Sequence, residues 1–154
     1  MHRTKAIAPP AIHHSRRGVS DAKTSLWAAF LFGYRSFKVH FGGDSAMGPL
    51  FGQTGPKYGP SDLMLSGICA YAPRKLLRSV HASSGEAMEM GKAMKAKSLR
   101  GTHRGTIEYS QENTFEPAHR LRKATFNAGY QDNAIVRPSV EETVALNVLK
   151  QTSS

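Results

Sequence analysis

Six glycines and three prolines fall between Gly42 and Pro60, and no other feature constrains the fold of this chain as strongly. Proline removes a backbone hydrogen-bond donor, and glycine adds conformational freedom that must be lost on folding. Both effects oppose regular helices and interior strands. Phe51 and Tyr58 are isolated aromatic residues within the run. We therefore predict an extended, turn-rich connector over residues 42–60.

The segment before this connector carries the signals of a helix start. Ser20 offers a cap side chain and Asp21 an acid in the first turn, which answer the free amides and the positive end of a helix dipole. Apolar side chains then follow on nearly all sides of a helical projection, so such a helix would be buried on several sides. We predict an apolar helix within residues 21–41, covered partly by another molecule.

Helix signals recur after the connector. Residues 61–80 predict a short helix that is kinked or restarted at Pro73. Ser83 and Glu86 have the spacing of a capping box, which predicts a helix over about 85–99.

The last third of the chain shows weaker periodicity until its end. Short strands are predicted at 107–109 and 124–126. Ser139 and Glu142 again have capping-box spacing, and valines follow at every fourth position. We predict a C-terminal helix there.

The large aliphatic and phenylalanine side chains are too few for an ordinary globule. Leu, Ile, Val and Phe make up 30 of the 154 residues, and the net charge is +10. A highly charged chain with less than about 20% of these residues tends not to fold alone. The fold is predicted to be mostly α with extended irregular segments and a small core, ordered largely by partners. The predicted segments are a basic arm (1–20), an apolar helix (21–41), the connector (42–60), a basic helical section (61–107) and a near-neutral section (108–154).

The positive charge is concentrated in the first two thirds of the chain. Residues 61–107 carry eight basic and three acidic side chains, whereas residues 108–154 carry five and six. Clustered lysine and arginine contact phosphates without sequence preference. The residues predicted to contact RNA or another anionic partner are Arg16, Arg17, Arg74, Lys75, Arg78, Lys92, Lys95, Lys97, Arg100, Arg104, Arg120, Arg122 and Lys123.

A second set of residues is predicted to contact protein partners. These side chains are apolar or aromatic and lie on the predicted helices or the connector. They are Trp27, Phe30, Leu31, Tyr34, Phe51, Tyr58, Val140, Val144 and Val148.

Gly43–Met47 partly resembles the turn that presents a serine nucleophile, with Ser45 at its centre. A serine esterase elbow needs glycine two residues before and after the serine, and Met47 occupies the second position. The segment is therefore interpreted as connector, with a small hydrolase using Ser45 kept as the enzyme alternative.

The histidines and the one cysteine give no metal pattern. His13 and His14 are adjacent, and the other five histidines lack the close spacing typical of metal ligands on one element. Cys69 is alone in an apolar run and is interpreted as a small buried residue. No metal site and no cofactor are predicted.

The first twenty residues have the composition of an organellar presequence. They contain four basic side chains and no acid, although Pro9-Pro10 interrupts the amphipathic helix of such a signal. Mitochondrial import and an untargeted basic arm in a cytoplasmic assembly both remain open. The apolar runs near Trp27 and Ile68 are too short to span a membrane, but peripheral docking on a membrane complex is open.

These features favour a non-catalytic structural subunit of a large, multi-protein assembly. An organellar ribosome, with its RNA, fits the charge best. The alternatives are an accessory subunit of a respiratory or ATP-synthase complex and a microtubule-associated protein.

Overall fold

The computed structural model describes residues 3–15, 18–22, 24–105, 107–108 and 110–130. Within these ranges five strands form one mixed sheet in the order β1-β2-β3-β4-β5. The first three strands are antiparallel, and β4 and β5 continue the sheet parallel to β3. The strands are β1 (Lys5–Ile7), β2 (Phe30–Tyr34), β3 (Phe37–Phe41), β4 (Leu63–Gly67) and β5 (Ser98–Thr102). The helices are α1 (Leu50–Tyr58), α2 (Arg74–Leu77), α3 (Ser84–Ala93) and α4 (Glu116–Asn127).

The predicted apolar helix within 21–41 is wrong, because this segment forms the hairpin of β2 and β3. Aromatic residues favour strands, and side chains on both faces of a strand look like an all-round apolar helix in projection. Asp21 does not begin a helix. Its carboxylate instead accepts a hydrogen bond from the Gly18 amide at 2.7 Å and closes a turn.

The predicted connector is also partly wrong, because α1 lies inside it and contains Pro56. Packing explains why a helix forms against its local propensity. Gly55 lies so close to the end of α3 that a Cβ there would sit 1.8 Å from the Ala93 carbonyl oxygen. The glycine that weakens the helix locally therefore permits the contact that stabilises it.

The helix predicted over 61–80 is replaced by strand β4 and the short helix α2. Strands inside a parallel region are buried on both faces, so they read as a continuous apolar run instead of an alternating one. Leu63 and Met64 show this pattern, since both are buried.

The later predictions have mixed outcomes. The capping box of Ser83 and Glu86 is confirmed, but its helix ends at Ala93 and is followed by β5. The strand predicted at 124–126 lies within α4. Residues 107 and 108 are not in a strand, and the C-terminal helix lies outside the described residues.

The prediction of a mostly helical fold with a small, partner-ordered core is wrong. The helices pack on one face of the sheet around a cluster of eleven buried residues. Four of them are methionines and three are alanines, which a count of Leu, Ile, Val and Phe leaves out. Methionine fills irregular core space well. The cluster is Phe51, Met64, Ile68, Ala82, Ala87, Met88, Met90, Met94, Ala96, Leu99 and Leu121.

The opposite face of β2 and β3 is aromatic. Phe30, Phe32 and Tyr34 alternate along β2, and Phe41 pairs with Phe30 across the hairpin. The described helices leave this aromatic face exposed. No described helix is long and apolar enough to cross a membrane.

Candidate metal centre

Four side chains converge at the edge of the sheet where the parallel strands end. Asp44 follows β3, and His103 comes directly after β5. His81 lies between α2 and α3, and His13 lies between β1 and β2. Ligands of open α/β sheets bind outside the carboxyl ends of the strands, and this His/Asp cluster occupies that position.

The Asp44 carboxylate is the centre of the cluster. Its Oδ1 lies 2.7 Å from His81 Nδ1, and its Oδ2 lies 3.2 Å from His13 Nε2 and 3.6 Å from His103 Nε2. Ligand atoms of His13, Asp44 and His81 all lie within 4.8 Å of one another. The four side chains are between 13% and 34% exposed, so solvent and small ions reach them.

The charge state of Asp44 is set by its neighbours. Burial alone would raise the pKa of this carboxyl, but the hydrogen bond from His81 and the nearby rings of His103 and His13 lower it below its ordinary value. Asp44 is therefore ionised at neutral pH. A carboxylate among three imidazoles is a typical nitrogen and oxygen ligand set for a metal ion.

The His13 ring is oriented by its backbone neighbour. His13 Nδ1 lies 2.8 Å from the His14 carbonyl oxygen, which only accepts, so Nδ1 donates this hydrogen bond. Nε2 then faces Asp44 Oδ2 at 3.2 Å, where it either donates a second proton to the carboxylate or, without that proton, offers its lone pair to a metal ion. Metal-binding histidines are usually oriented in this way by their second nitrogen.

Ser45 ties two segments of the site together and is not a nucleophile. Its Oγ accepts a hydrogen bond from the Ile12 amide at 2.9 Å and donates to the Ala46 carbonyl. The Ala46 amide in turn donates to the Ile12 carbonyl at 2.7 Å. Because Ser45 is 2% exposed, the alternative of a hydrolase using this serine is wrong. Its role is to hold His13 beside Asp44.

The His81 loop is held by an ion pair. Arg74 Nη1 donates to the His81 carbonyl at 2.9 Å, and Arg74 Nη2 also pairs with Glu86. Glu86 accepts hydrogen bonds from Ser83, so the capping box of α3 and the histidine loop form one network. Arg74, predicted to contact an anionic partner, is therefore engaged inside the fold.

His103 adopts an uncommon backbone conformation. Its φ is 56°, in the left-handed region that favours glycine. Such conformations cost of order 1 kcal/mol or more outside glycine and cluster at functional sites.

The other predicted anion-contact residues are dispersed over the surface. Lys92 lies 3.5 Å from Glu89, Lys97 lies 2.8 Å from Asp62, and Arg120 pairs with Glu116. Anion binding by the exposed and half-buried members stays a prediction. These are Lys75, Arg78, Lys95, Arg100, Arg104, Arg122 and Lys123. Arg16 and Arg17 lie outside the described residues.

The predicted protein-contact residues divide into four groups. Phe30 and Tyr34 are exposed on the aromatic face, and Trp27 is half-buried. Leu31 and Phe51 are buried in the chain's own fold, which removes them from any partner surface. Tyr58 packs against the core from the outside. The valines at 140, 144 and 148 lie outside the described residues.

The prediction of no metal site overlooks the His/Asp cluster, because its members come from four separate segments. Only the positions of the strands could have indicated the cluster. Asp44 and His103 each come just after a strand, but the sequence predicts a helix over β3 and over the start of β5. Cys69, by contrast, is buried as predicted, and its Sγ lies 3.2 Å from Glu112 Oε1.

The fold and the cluster agree with the known proteins that the chain resembles. Residues 2–104 match the family described as the beta-lactamase superfamily domain, and the chain belongs to that superfamily. A metallo hydrolase from Ignicoccus hospitalis has the same fold, with a TM-score of 0.64 and 16% identity over 92% of this chain and 52% of that one. An isothiocyanate hydrolase from Delia radicum gut bacteria gives a TM-score of 0.65 and 15% identity over 92% and 54%.

Two relatives are both named as N-acyl-phosphatidylethanolamine-hydrolyzing phospholipases D. N-acyl-phosphatidylethanolamine-hydrolyzing phospholipase D 1 of Caenorhabditis elegans is 34% identical over 74% of this chain. The mitochondrial N-acyl-phosphatidylethanolamine-hydrolyzing phospholipase D of Saccharomyces cerevisiae is 28% identical over 81% of this chain. The chain spans 33% and 27% of the lengths of these relatives.

These comparisons overturn the predicted function. A non-catalytic structural subunit, a ribonucleoprotein, a respiratory accessory subunit and a microtubule-associated protein are all wrong, because the chain belongs to a superfamily of hydrolases. The positive charge misled the interpretation, since a basic surface indicates an anionic partner without saying whether chemistry follows. The mitochondrial prediction has partial support, since one relative is a mitochondrial yeast protein.

Proposed function

We propose that this chain carries metal-binding residues of a hydrolase that cleaves phosphodiester bonds in phospholipids. The observation that carries the proposal is the Asp44 carboxylate, with three imidazoles around it at the carboxyl edge of the sheet. The names of the two phospholipase D relatives support the substrate class.

The residues present suit a metal ion. His13 Nε2, the Asp44 carboxylate and His81 Nδ1 would be ligands, and His103 Nε2 lies close enough to Asp44 to join them. His81 Nδ1 would bind the ion only after it releases the proton that it donates to Asp44. Nitrogen and oxygen donors of this kind suit Zn²⁺. A bound ion would supply activation of water and polarisation of a phosphoryl oxygen.

The chain's own contribution is orientation and charge. Asp44 is ionised, His13 presents Nε2 because its Nδ1 donates to a carbonyl, and Ser45 fixes the spacing of their two segments. In phosphodiester hydrolysis the water oxygen bonds to phosphorus, the bond from phosphorus to one ester oxygen breaks, and the leaving alcohol takes up a proton. The proton that the attacking water gives up balances the proton that the alcohol takes up.

Zinc binding by the full chain is the direct test. We expect the wild type to bind one Zn²⁺ in a calorimetric titration, and Asp44→Asn and His81→Gln to bind at least about tenfold more weakly. His119→Gln is the matched control, because His119 is exposed on α4 away from the cluster. Equal zinc affinity in the wild type and Asp44→Asn would overturn the proposed centre.

The substrate class is tested separately from the metal. The zinc-loaded chain is incubated with vesicles of N-acyl-phosphatidylethanolamine, and the release of the N-acylated alcohol and phosphatidic acid is followed by mass spectrometry. We expect hydrolysis that Asp44→Asn abolishes and His119→Gln preserves. Zinc binding without phosphodiester hydrolysis would contradict the phospholipid substrate and leave the metal centre standing.

We further propose that the protein is mitochondrial. The mitochondrial yeast relative supports this location. Residues 1–20 contain β1 and His13, so they are part of the fold and the location is tested on the whole protein. In fractionated cells the protein should co-sediment with mitochondria, and its recovery in the other fractions alone would contradict the proposal.

A further inference from the structure

A cavity of about 340 Å³ lies away from the His/Asp cluster. It is bounded by residues of β1, β2 and β3 and by the C-terminal end of α1. Lys38 stands near the amino end of β3, whereas Asp44 follows the carboxyl end of the same strand. The two sites are therefore at opposite ends of β3.

Three lysines line this cavity. Lys5 and Lys38 come from β1 and β3, and both are aligned with Gly33 on the strand between them. Lys57 comes from the last turn of α1, and its Nζ lies 5.0 Å from the centre of the Tyr58 ring. With no side chain at Gly33, the strand registers bring two ammonium groups to one end of the sheet, and the helix adds a third.

The positive charge of these lysines is not neutralised within the described part of the chain. None of the described carboxylates forms an ion pair with Lys5, Lys38 or Lys57. Asp62 accepts the backbone amide of Lys38 at 2.8 Å, but its other oxygen is paired with Lys97. Three like charges around one cavity repel each other, so an anion bound between them is stabilising.

The rest of the lining is apolar. Ile7 and Leu31 are cross-strand partners, and the Tyr58 ring lies opposite on α1. Leu31 is buried, while Ile7 and Tyr58 are half-buried. A simple inorganic anion would leave these groups facing water, whereas an anion with an apolar body would cover them.

Strand β3 also carries a buried polar side chain that has no hydrogen-bond partner among the described residues. His40 pairs with Leu31 across the hairpin and is 1% exposed. Neither of its ring nitrogens has a hydrogen-bond partner among the described residues. Such groups are rare in native proteins and often mark a functional position.

We propose that this lysine cavity binds a single anionic amphiphile. A phosphate or carboxylate head lies among Lys5, Lys38 and Lys57, and the adjoining carbon atoms cover Ile7, Leu31 and Tyr58. Lysine binds phosphate as a point charge, so the head needs no fixed geometry. The volume lies within the range of about 300–1,000 Å³ that is common for small-molecule sites. This inference does not depend on the metal centre.

Binding is tested with the full chain and decyl phosphate below its micelle concentration. Inorganic phosphate is the probe for the head alone, and decyl maltoside carries the same tail without charge. We expect decyl phosphate to bind at least about tenfold more tightly than either probe in calorimetry, because charge and apolar contact act together. The variant K5Q/K38Q/K57Q should lose at least about tenfold in affinity for decyl phosphate.

The matched control is K75Q/K95Q/K123Q, which removes the same charge at three exposed lysines outside the cavity. It should bind decyl phosphate like the wild type, and both variants should bind zinc as the wild type does. Equal loss in the two lysine variants would overturn the site, because net charge alone would then explain binding. Equal affinity for inorganic phosphate and decyl phosphate, or for decyl maltoside and decyl phosphate, would overturn the amphiphile.

Discussion

The two faces of the sheet differ in what covers them. On one face Met64 and Leu99 are fully buried beneath the helices. On the other, the side chains of the aromatic face are between 36% and 45% exposed within the described part of the chain. Large exposed apolar patches mark interaction sites. The described part of the chain therefore completes the packing of one face and leaves the aromatic face exposed.

Protein contact at the aromatic face is therefore the part of the partner prediction that we retain as a proposal. Phe30 and Phe32 stack with ring centroids 6.0 Å apart, so neighbouring rings of the patch form one continuous apolar surface. Phe30 and Tyr34 are exposed on this face, whereas Leu31 between them points to the covered face.

The largest expected effect is at the covered face. Leu99→Ala removes a fully buried side chain from the cluster and should cost about 2–5 kcal/mol of unfolding free energy. Phe32→Ala, at 40% exposure, should cost less than about 1 kcal/mol in the isolated chain. Urea unfolding of both variants measures the difference. Similar losses of unfolding free energy in the two variants would contradict the difference between the faces and show that the aromatic face is covered in solution.

The second largest effect on stability is expected where α1 packs closely against the end of α3. Gly55→Ala places a methyl group against the Ala93 carbonyl and should cost about 1–3 kcal/mol, since the backbone must shift. Gly52→Ala is the matched control on the same helix, because nothing lies within 4 Å of its added Cβ. That substitution should stabilise the chain by up to about 1 kcal/mol. A destabilising Gly52→Ala and a neutral Gly55→Ala would contradict the packing of α1 on α3.

The same comparison shows how far the sequence could predict the fold. The capping box of Ser83 and Glu86 and the burial of Cys69 were predictable, because both depend on local chemistry or on one side chain's character. The hairpin at 30–41 was not, since apolar residues on both faces of its strands leave no alternation to detect. The helical period of about 3.6 residues and the strand period of 2 residues fit such a segment equally well, so only its tertiary contacts decide between helix and strand.

The candidate site was predictable to a smaller degree than the fold. Successive members of the cluster, His13, Asp44, His81 and His103, are 31, 37 and 22 residues apart along the chain. They meet through the parallel pairing of β3, β4 and β5 and through the hydrogen bonds that hold the loops of His13 and His81. A pattern within one helix or loop cannot report such a site. Once the strands are known, Asp44 and His103 stand out, because both come just beyond a strand's carboxyl end.

The smallest expected effect on stability at neutral pH is at His40, a buried polar residue on the covered face. Burial lowers the pKa of His40 from 6.5 to about 4, whereas the unfolded chain binds the proton near 6.5. Below pH 6.5 the unfolded chain gains a proton that the folded chain does not bind, so the free energy of unfolding falls with the pH until His40 is also protonated in the fold near pH 4. His40→Leu removes this dependence and two buried nitrogens, and should stabilise the chain by about 1 kcal/mol at pH 7. Urea unfolding at pH 7 and pH 5 should show a smaller difference for His40→Leu than for the wild type, with His119→Leu as the control. An unchanged pH dependence in His40→Leu would show that this ring has a hydrogen-bond partner in solution.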